Sequence, residues 1–372
     1  MIYSNGLLTD FSRILDNRVK NIAPKVGAEL TSEYTKYMFK RTNAERVTTD
    51  IGITGLGMAN FVADAEISAA DAPIQGFEKN YVQQHLTHKV KVSFQTMHFL
   101  VKMKDKAKLD SEVESKVMDL QRALESAKEY YAQNFLAQGF NASWNFTPIS
   151  GVSATITTVD ATTADGVEFW SQAHLREDGG PNWTNVIVDG ATPSPVFAMS
   201  SLEAAHQLHA IKKDGRGLPL GSTLTSLIVV KGSATEQVAK RIKGTIDSGY
   251  YPGTFRDTPS VPSFEIISLK NYGGNAMGPL QWGMLDNTMI NKNYGPQYIE
   301  SLPNTVAPTM IDPENKDTIM QADTIFQMGA TDMRTFMWSN GDSTTVKTIT
   351  PSPQLFNLSY LHFYMECGIR KI

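Results

Sequence analysis

Leu7, Leu8, Phe11, Ile14, Leu15, Val19 and Ile22 recur at spacings of three and four, which predicts a short amphipathic helix over 7–22. Pro24 and Gly27 stop it, and a second brief helix is expected at SEYTKYMFKR, ending before Asn43. Helices this short bury their apolar stripe poorly alone and need another surface, either their own body or a neighbour. Three glycines (52, 55 and 57) then open a stretch poor in large apolar residues until Tyr81. Its tip, Asp64 to Phe77, is rich in Ala, Asp and Glu and contains Pro73 and Gly76. The returning half sets Val90, Val92 and Phe94 against Lys89, Lys91 and Ser93 in alternation. The pattern predicts a long two-stranded arm with a loose polar tip. An isolated hairpin of that length is marginal in water, so docking on another subunit is expected.

The clearest helix follows in LDSEVESKVMDLQRALESAKEYYAQNFLAQGF, where Ser111 and Glu114 stand at capping-box spacing and Gly139 at a C-terminal stop. Val113, Val117, Leu120, Leu124, Ala127, Tyr131 and Phe135 form its stripe. Some 28 residues at about 1.5 Å each make a rod of roughly 40 Å. The other face carries Glu112, Lys116, Asp119, Arg122, Glu125 and Glu129 and is expected to meet water or a neighbour. Residues 141–200 read as loops and sheet edges, with short strand-like pieces such as GVSATITTV. A helix at SSLEAAHQLHAIKK, opened by Ser200 or Ser201, ends at the turn Asp214–Gly217.

An α/β segment comes next. LTSLIVV suits a buried strand, and GSATEQVAKRIKGTI a helix capped by Ser233 and Glu236. VPSFEIISL and GPLQWGMLD read as further strands, and ADTIFQMGATDMRTFMWSNG as a returning alternating strand. Residues 343–353 form a Ser/Thr/Pro linker before the apolar LFNLSYLHFYMECGI.

Composition removes several function classes. A net charge of −4 lacks the positive field that phosphate binding needs. The lone Cys367 makes neither an internal disulfide nor a Cys-rich zinc site. No signal peptide and no run of eighteen apolar residues is present, so folding in a cytoplasm is expected. His206 and His209 share a helix face without a third ligand, and His85 and His88 on a strand point apart, so no metal is expected. Nucleophile-elbow, P-loop and H-E-x-x-H motifs are missing, and ITGLGMA lacks dinucleotide-binding spacing. Asp64, Glu66 and Asp71 sit on the loop tip, where no burial would tune them for acid catalysis. The expectation is a chain without catalytic site, cofactor or metal.

The order of these parts resembles the major capsid fold of tailed phages, the HK97-like fold, and more narrowly the major head subunit family of Mu-like phages. The resemblance rests on ITGLGMANFVADAEISAADAPIQGFEKNY, the long helix, DGVEFWSQAHL (165–175), KDGRGLPLGSTLTSLIVV and ADTIFQMGATDMRTFMWSNGD, and it spans roughly residues 45–342. It implies an α+β chain with an N-terminal arm (1–50), an extended hairpin loop (51–95) and a peripheral domain (96–217) with its spine helix at 111–138. An axial domain (218–291), a peripheral return (292–342) and a C-terminal extension (343–372) complete it. The function so implied is self-assembly into an icosahedral head around double-stranded DNA, in the virion, after assembly in the bacterial host cytoplasm. Partners would be further copies in pentamers and hexamers, with portal, scaffolding and decoration proteins. The loop of one subunit would lie on the spine region of the next, with Asp64, Glu66, Asp71, Phe77 and Lys79 as the loop's inter-subunit contacts, while Val113, Val117, Leu120, Leu124, Tyr131 and Phe135 mark the spine helix. The chain starts without a long charged scaffolding segment, so scaffolding is expected either from a separate protein or not at all. The covalent Lys–Asn linkage of some such capsids is not carried over to Lys79. Two other readings stand beside this one: an encapsulin-like compartment shell, and a soluble α/β enzyme built on 218–291.

Overall fold

The computed structural model describes residues 32–59, 70–96, 106–149, 157–248, 261–274, 276–289, 294–307, 310–312 and 314–342. The expected helix at 7–22, the loop residues Asp64 and Glu66, and the extension 343–372 with Cys367 lie outside them. The fold is α+β, two sheets joined through one long helix.

The first sheet contains β1 (Phe39–Thr42), β4 (Gln84–Val92), β12 (Pro296–Val306), β13 (Met310–Ile311) and β14 (Thr318–Ala330). Strand β14 is its axis. One edge pairs antiparallel with β12 and the other with β4, from Thr318↔Val92 to Phe326↔Gln84. Strand β1 runs parallel to β12, from Phe39↔Gln297 to Thr42↔Glu300. The side chains of β14 alternate between buried and half-buried along most of its length, the period-two signature of a strand covered on one face. That face lies on α1 (Lys106–Ala137): Val113, Val117, Leu120 and Leu124 pack with Met320 and Ala322, and with Val90 and Val92 of β4. Each fully buried Val or Leu here contributes roughly 1.5–3 kcal/mol of transfer free energy.

Several expectations are corrected here. SEYTKYMFKR supplies only a 3₁₀ turn, Tyr34–Lys36, before Phe39 enters β1. So few residues cannot sustain a helix when a parallel edge is available to pair their backbone. The hairpin expected over 51–95 is shorter and begins earlier: β2 (Val47–Ile53) pairs with β3 (Gln75–Val82), and the chain then leaves for β14 as β4. Gln83 marks the division, donating from Nε2 to Asn43 O (3.1 Å) and Glu45 O (2.9 Å). The alternation around Val90 thus serves the body and not the arm. Helix α1 already includes Lys106, so Ser111 lies more than a turn inside it and is no cap. Gly139 acts by size: a Cβ there would stand 2.6 Å from Trp170 Nε1, which donates to Leu136 O at 2.6 Å and closes the helix end.

Short strands β5 (Ser143–Phe146) and β6 (Thr157–Asp160), and β7 (Val188–Asp189) and β8 (Thr192–Pro193), form two small ladders before α2 (Met199–Ala210). Ser201, not the first residue of α2, closes its N-terminus by accepting the Ala198 N–H (2.8 Å).

The second sheet has the order β10 (Glu265–Leu269), β9 (Ser226–Val230), β11 (Trp282–Leu285), β15 (Phe336–Ser339). The last strand comes from outside 218–291, so the stretch expected as a separate axial unit depends on the returning chain for one edge. Every residue of β9 is buried, as its unbroken apolar run requires. Leu227 and Val229 face a core shared with α2 and α3 (Ala234–Ser248), while Ile228 and Val230 face the central core. There Tyr131 and Phe135 of α1 meet Phe169, Trp170, Phe326 and Phe336, with Trp170 stacked on Trp338 at 5.0 Å. Ser233 caps α3 by accepting the Glu236 N–H (3.0 Å), and Glu236 reaches back to the Gly232 N–H (2.7 Å).

Candidate functional site

Strand alternation divides the β2–β3 hairpin into two faces. Thr48, Asp50 and Tyr81 are turned onto the body and buried. Val47, Ile51 and Val82 are 42–50% exposed on the opposite face, and Ile74, Leu56 and Met58 (77% exposed) continue the apolar surface toward the tip. The inner face is pinned by a polar chain. The Tyr81 hydroxyl donates to Thr331 Oγ1 (2.7 Å), which donates to Asp50 Oδ2 (2.7 Å). Gln297 Nε2 donates to the same oxygen at 2.9 Å, and Arg41 lies 3.2 Å from Oδ1. The Tyr81 ring presses on Gly329, where a Cβ would stand 2.3 Å from it, so a glycine is required opposite the ring.

The loop residues expected to touch a neighbour divide. Asp71 is held within the chain: it accepts the Gly57 N–H (2.6 Å) and pairs with Arg216 Nη2 (2.9 Å), and Arg216 Nη1 also donates to Ala72 O (2.7 Å). The Gly57 amide and then Arg216 hold the Asp71 carboxyl below its ordinary range. Lys79 pairs with Asp160 and donates to Thr162 Oγ1 (2.8 Å). Burial would raise the Asp160 carboxyl, but bonds from Lys79 and Thr162 outweigh it and keep it low. Phe77 is half-buried and faces a cavity at the hairpin base. Arg216, in a turn to which composition assigns no role, is thus the clamp on the arm.

That cavity, about 170 Å³, sits over a buried polar knot. Asp165 Oδ2 takes His174 Nδ1 (3.0 Å) and the Leu175 N–H (3.0 Å), and Oδ1 takes the Val167 N–H (3.2 Å). Burial acts to raise this carboxyl, and the His174 contact leads the set that lowers it. The His174 ring stacks on Trp183 at 4.2 Å, with the Arg334 guanidinium 5.3 Å from the Trp183 ring. Arg334 binds Glu177 (2.6 Å) and Asp332 (3.3 Å), and Lys212 Nζ donates to the carbonyls of Arg334 (2.8 Å) and Phe336 (2.7 Å). An Asp–His pair suggests acid–base chemistry, but the second His174 nitrogen is committed as well, 3.3 Å from Phe169 O. With both nitrogens used inside the fold, the imidazole has none to present to a substrate. The knot ties residues 163–185 to the turn before β15.

Helix α1 also departs from expectation. Glu125 and Glu129, expected toward water or a neighbour, are buried. From Lys128 to Ala137 every residue is buried. Ser32 donates to Glu125, and the amides of Glu33 and Tyr34 donate to Glu129, the latter at 3.3 Å. Burial pushes the Glu129 carboxyl up to about 7, against the lowering effect of the Glu33 amide and Lys270. Lys128 pairs with Glu300 at 3.0 Å, and Glu300 also takes Lys40 (2.6 Å) and the Tyr298 hydroxyl (2.5 Å). Helical spacing alone places Glu125 and Glu129 on the polar side, and their covering residues lie more than ninety positions away.

His206 and His209 lie on α2, where burial lowers them to about 4 and about 2, with Lys212 adding to the effect on His209. Among the described residues no group of three His, Cys, Asp or Glu side chains is placed to hold a metal, and no helix is long and apolar enough to cross a membrane.

The chain matches no family model and no curated protein. Among solved structures it is similar to the capsid of an empty GTA particle, with a TM-score of 0.43 and 12% identity over 83% of this chain and 90% of that one. It is similar to the capsid of the cyanophage P-SCSP1u (TM-score 0.44, 10% identity, 83% and 88% covered). A third likeness is to Mycobacterium phage Adephagia (TM-score 0.41, 12% identity, 83% and 90% covered).

Proposed function

We propose that this chain is the major capsid subunit of a tailed bacteriophage, with the HK97-like fold, and that it self-assembles into an icosahedral head enclosing double-stranded DNA. The observation that carries the reading is the outer face of the hairpin. Val47, Ile51 and Val82 stand on a two-stranded sheet with no further strand or helix over them among the described residues. Together with Ile74, Leu56 and Met58 they make an apolar surface that an isolated subunit leaves in water. Closed symmetry supplies each copy of that surface with the same partner. In this reading the hairpin of one subunit lies over the α1 region of the next, and the second sheet gathers at the centres of pentamers and hexamers. Asp64, Glu66 and Phe77 are assigned to the neighbour contact, whereas Asp71 and Lys79 support the loop from within their own subunit. The spine residues Val113, Val117, Leu120, Leu124, Tyr131 and Phe135 form the bed beneath that contact. The role is structural, with no catalysis and no cofactor. A net charge of −4 suits a wall that encloses DNA without gripping it. Portal, scaffolding and decoration proteins are the further partners, assembly is in the host cytoplasm, and the narrower family is that of the Mu-like head subunits.

The test is negative-stain electron microscopy of the purified protein with size-exclusion chromatography, repeated on an Ile51→Lys, Val82→Lys double variant. Wild type is expected to form closed shells, or sheets and rings of pentamers and hexamers. The variant should stay a folded subunit with unchanged circular dichroism, because it sets two ammonium groups in the contact. A wild-type monomer or dimer that assembles no further, even concentrated or with scaffold present, would sink the proposal. So would a variant that assembles like wild type.

A further inference from the structure

The β2–β3 hairpin is held at two places that share no residue. Its root, 47–51 against 78–82, is pinned to the body by the chain of Tyr81, Thr331 and Asp50. Its outer half is closed on itself. The Thr54 N–H donates to Ile74 O (3.0 Å), the Ile74 N–H to Thr54 Oγ1 (2.9 Å) and the Gly57 N–H to Asp71 (2.6 Å). Among the described residues, the polar bonds from this half to the body all come from Arg216, through Asp71 and Ala72. Gly215 beside it meets Thr54 so closely that a Cβ would stand 2.6 Å from Thr54 Cγ2. The turn carrying both is firm. Asp214 Oδ1 accepts the amides of Arg216 (2.9 Å) and Leu218 (2.8 Å), and Lys212 just before it is tied to the start of β15. Between root and outer half the strands cross at Gly52 and Gly76, where the ladder slips register between Ile51 and Ile53. A Cβ on Gly76 would stand 2.9 Å from Gly52 O, so only glycine suits the crossing. The cavity of about 170 Å³ lies between this crossing and the body, lined by Gly52, Thr54 and Phe77 from the hairpin and Glu177 and Asp332 from the body.

We infer that the turn at 214–217 is a strap. Closed, it holds the outer half of the hairpin in line with the root. Open, it lets the outer half swing as one piece about Gly52 and Gly76 while the root stays on the first sheet. The strap belongs to the connection from α2 to β9, so the second sheet sets the angle of the outer arm. An ion pair whose side chains are 19% and 41% exposed suits a latch, because salt screens it and a competing anion displaces it. The apolar outer surface is divided by the same hinge. Val47, Ile51 and Val82 stand on the root, whereas Leu56, Met58 and Ile74 stand on the outer half. The closed strap keeps the six together, and the open one separates them into two smaller patches. That last consequence, for assembly, rests on the capsid reading; the hinge itself does not.

Spin-label distances test it in a Cys367→Ser background, on the full chain at a dilution where size-exclusion chromatography shows single subunits. Ala59→Cys on the outer half and Glu78→Cys on the root are each paired with Gln207→Cys on α2, all at exposed positions. Double electron–electron resonance then reads each pair separately. With the strap intact both pairs should give one narrow distance distribution. Arg216→Ala should widen the outer pair's distribution by roughly twofold or more and leave the root pair's unchanged. Asp71→Asn removes the same ion pair from the hairpin side and should do likewise. Raising the salt to about 1 M should widen the outer pair in the chain that keeps Arg216 and Asp71. The inference is overturned if the outer distribution stays narrow in both variants, or if root and outer pairs widen alike. Assembly is read apart from this, by electron microscopy. Where the parent chain forms shells, Arg216→Ala should raise the concentration at which they appear severalfold, and an unchanged concentration would overturn the consequence for assembly. Where the parent chain forms none, the capsid reading fails and the distances still judge the strap.

Discussion

Glu129→Gln should stabilise the isolated chain at alkaline pH and leave it unchanged in acid. Glu129 is fully buried in α1 and takes the amides of Glu33 and Tyr34. The folded chain gives up this proton near 7, and the unfolded chain near 4.5. Between those values the folded form holds more protons, so stability falls as pH rises through 4.5 and the penalty is complete just above 7. An interval of about 2.5 at about 1.4 kcal/mol per pH unit makes the full penalty roughly 3 kcal/mol. Glutamine keeps an oxygen for the two amides and never ionises, so the variant escapes the penalty. Urea unfolding followed by tryptophan fluorescence at pH 4.5 and pH 8 measures the difference. Other carboxylates titrate in both proteins and cancel in the comparison. The reasoning is refuted if variant and wild type differ equally at both pH values, or if the variant is the weaker at pH 8.

Lys128→Met removes one partner of a pair whose side chains are 2% and 6% exposed, and leaves Glu300 with Lys40 and the Tyr298 hydroxyl. A loss of about 3 kcal/mol is expected by denaturant titration, and adding Glu300→Gln should recover part of it. Tyr81→Phe deletes the hydroxyl that pins the hairpin to Thr331. It should cost about 1–2 kcal/mol and speed amide exchange in residues 47–53 before that in β14, as hydrogen-exchange mass spectrometry would report.

Those elements whose pattern is satisfied locally were legible in the sequence. An unbroken, largely β-branched LIVV run suits a strand buried on both faces, and it is one. The stripe from Val113 to Phe135 requires a helix covered along that side, and α1 is so covered, although from Lys128 to Ala137 it is buried all round. Failures came where a distant segment decided the outcome. Phe39–Thr42 is a strand because β12 offers it a parallel edge some 258 positions later. Val90 and Val92 alternate as an arm would, but their partners lie on β14. Glu125 and Glu129 sit at the spacing of a solvated face, and only the chain at Ser32–Tyr34 makes it an inner one. At the candidate site the loop residues were nameable from composition, whereas the clamp at Arg216 and the knot around Asp165, His174 and Arg334 depend on loops meeting across the fold.

Strand β3 passes into β4 with only Gln83 between them, and β4 then holds β14 through nine consecutive residue pairs. A pull on the hairpin along its strands is therefore delivered to that ladder lengthwise. Its hydrogen bonds then resist together in shear, instead of opening one after another like a zipper. The hairpin is a tether rooted in an unbroken nine-pair ladder, so a load that the proposed neighbour contact placed on it would be carried into the centre of the first sheet and not dissipated at the arm.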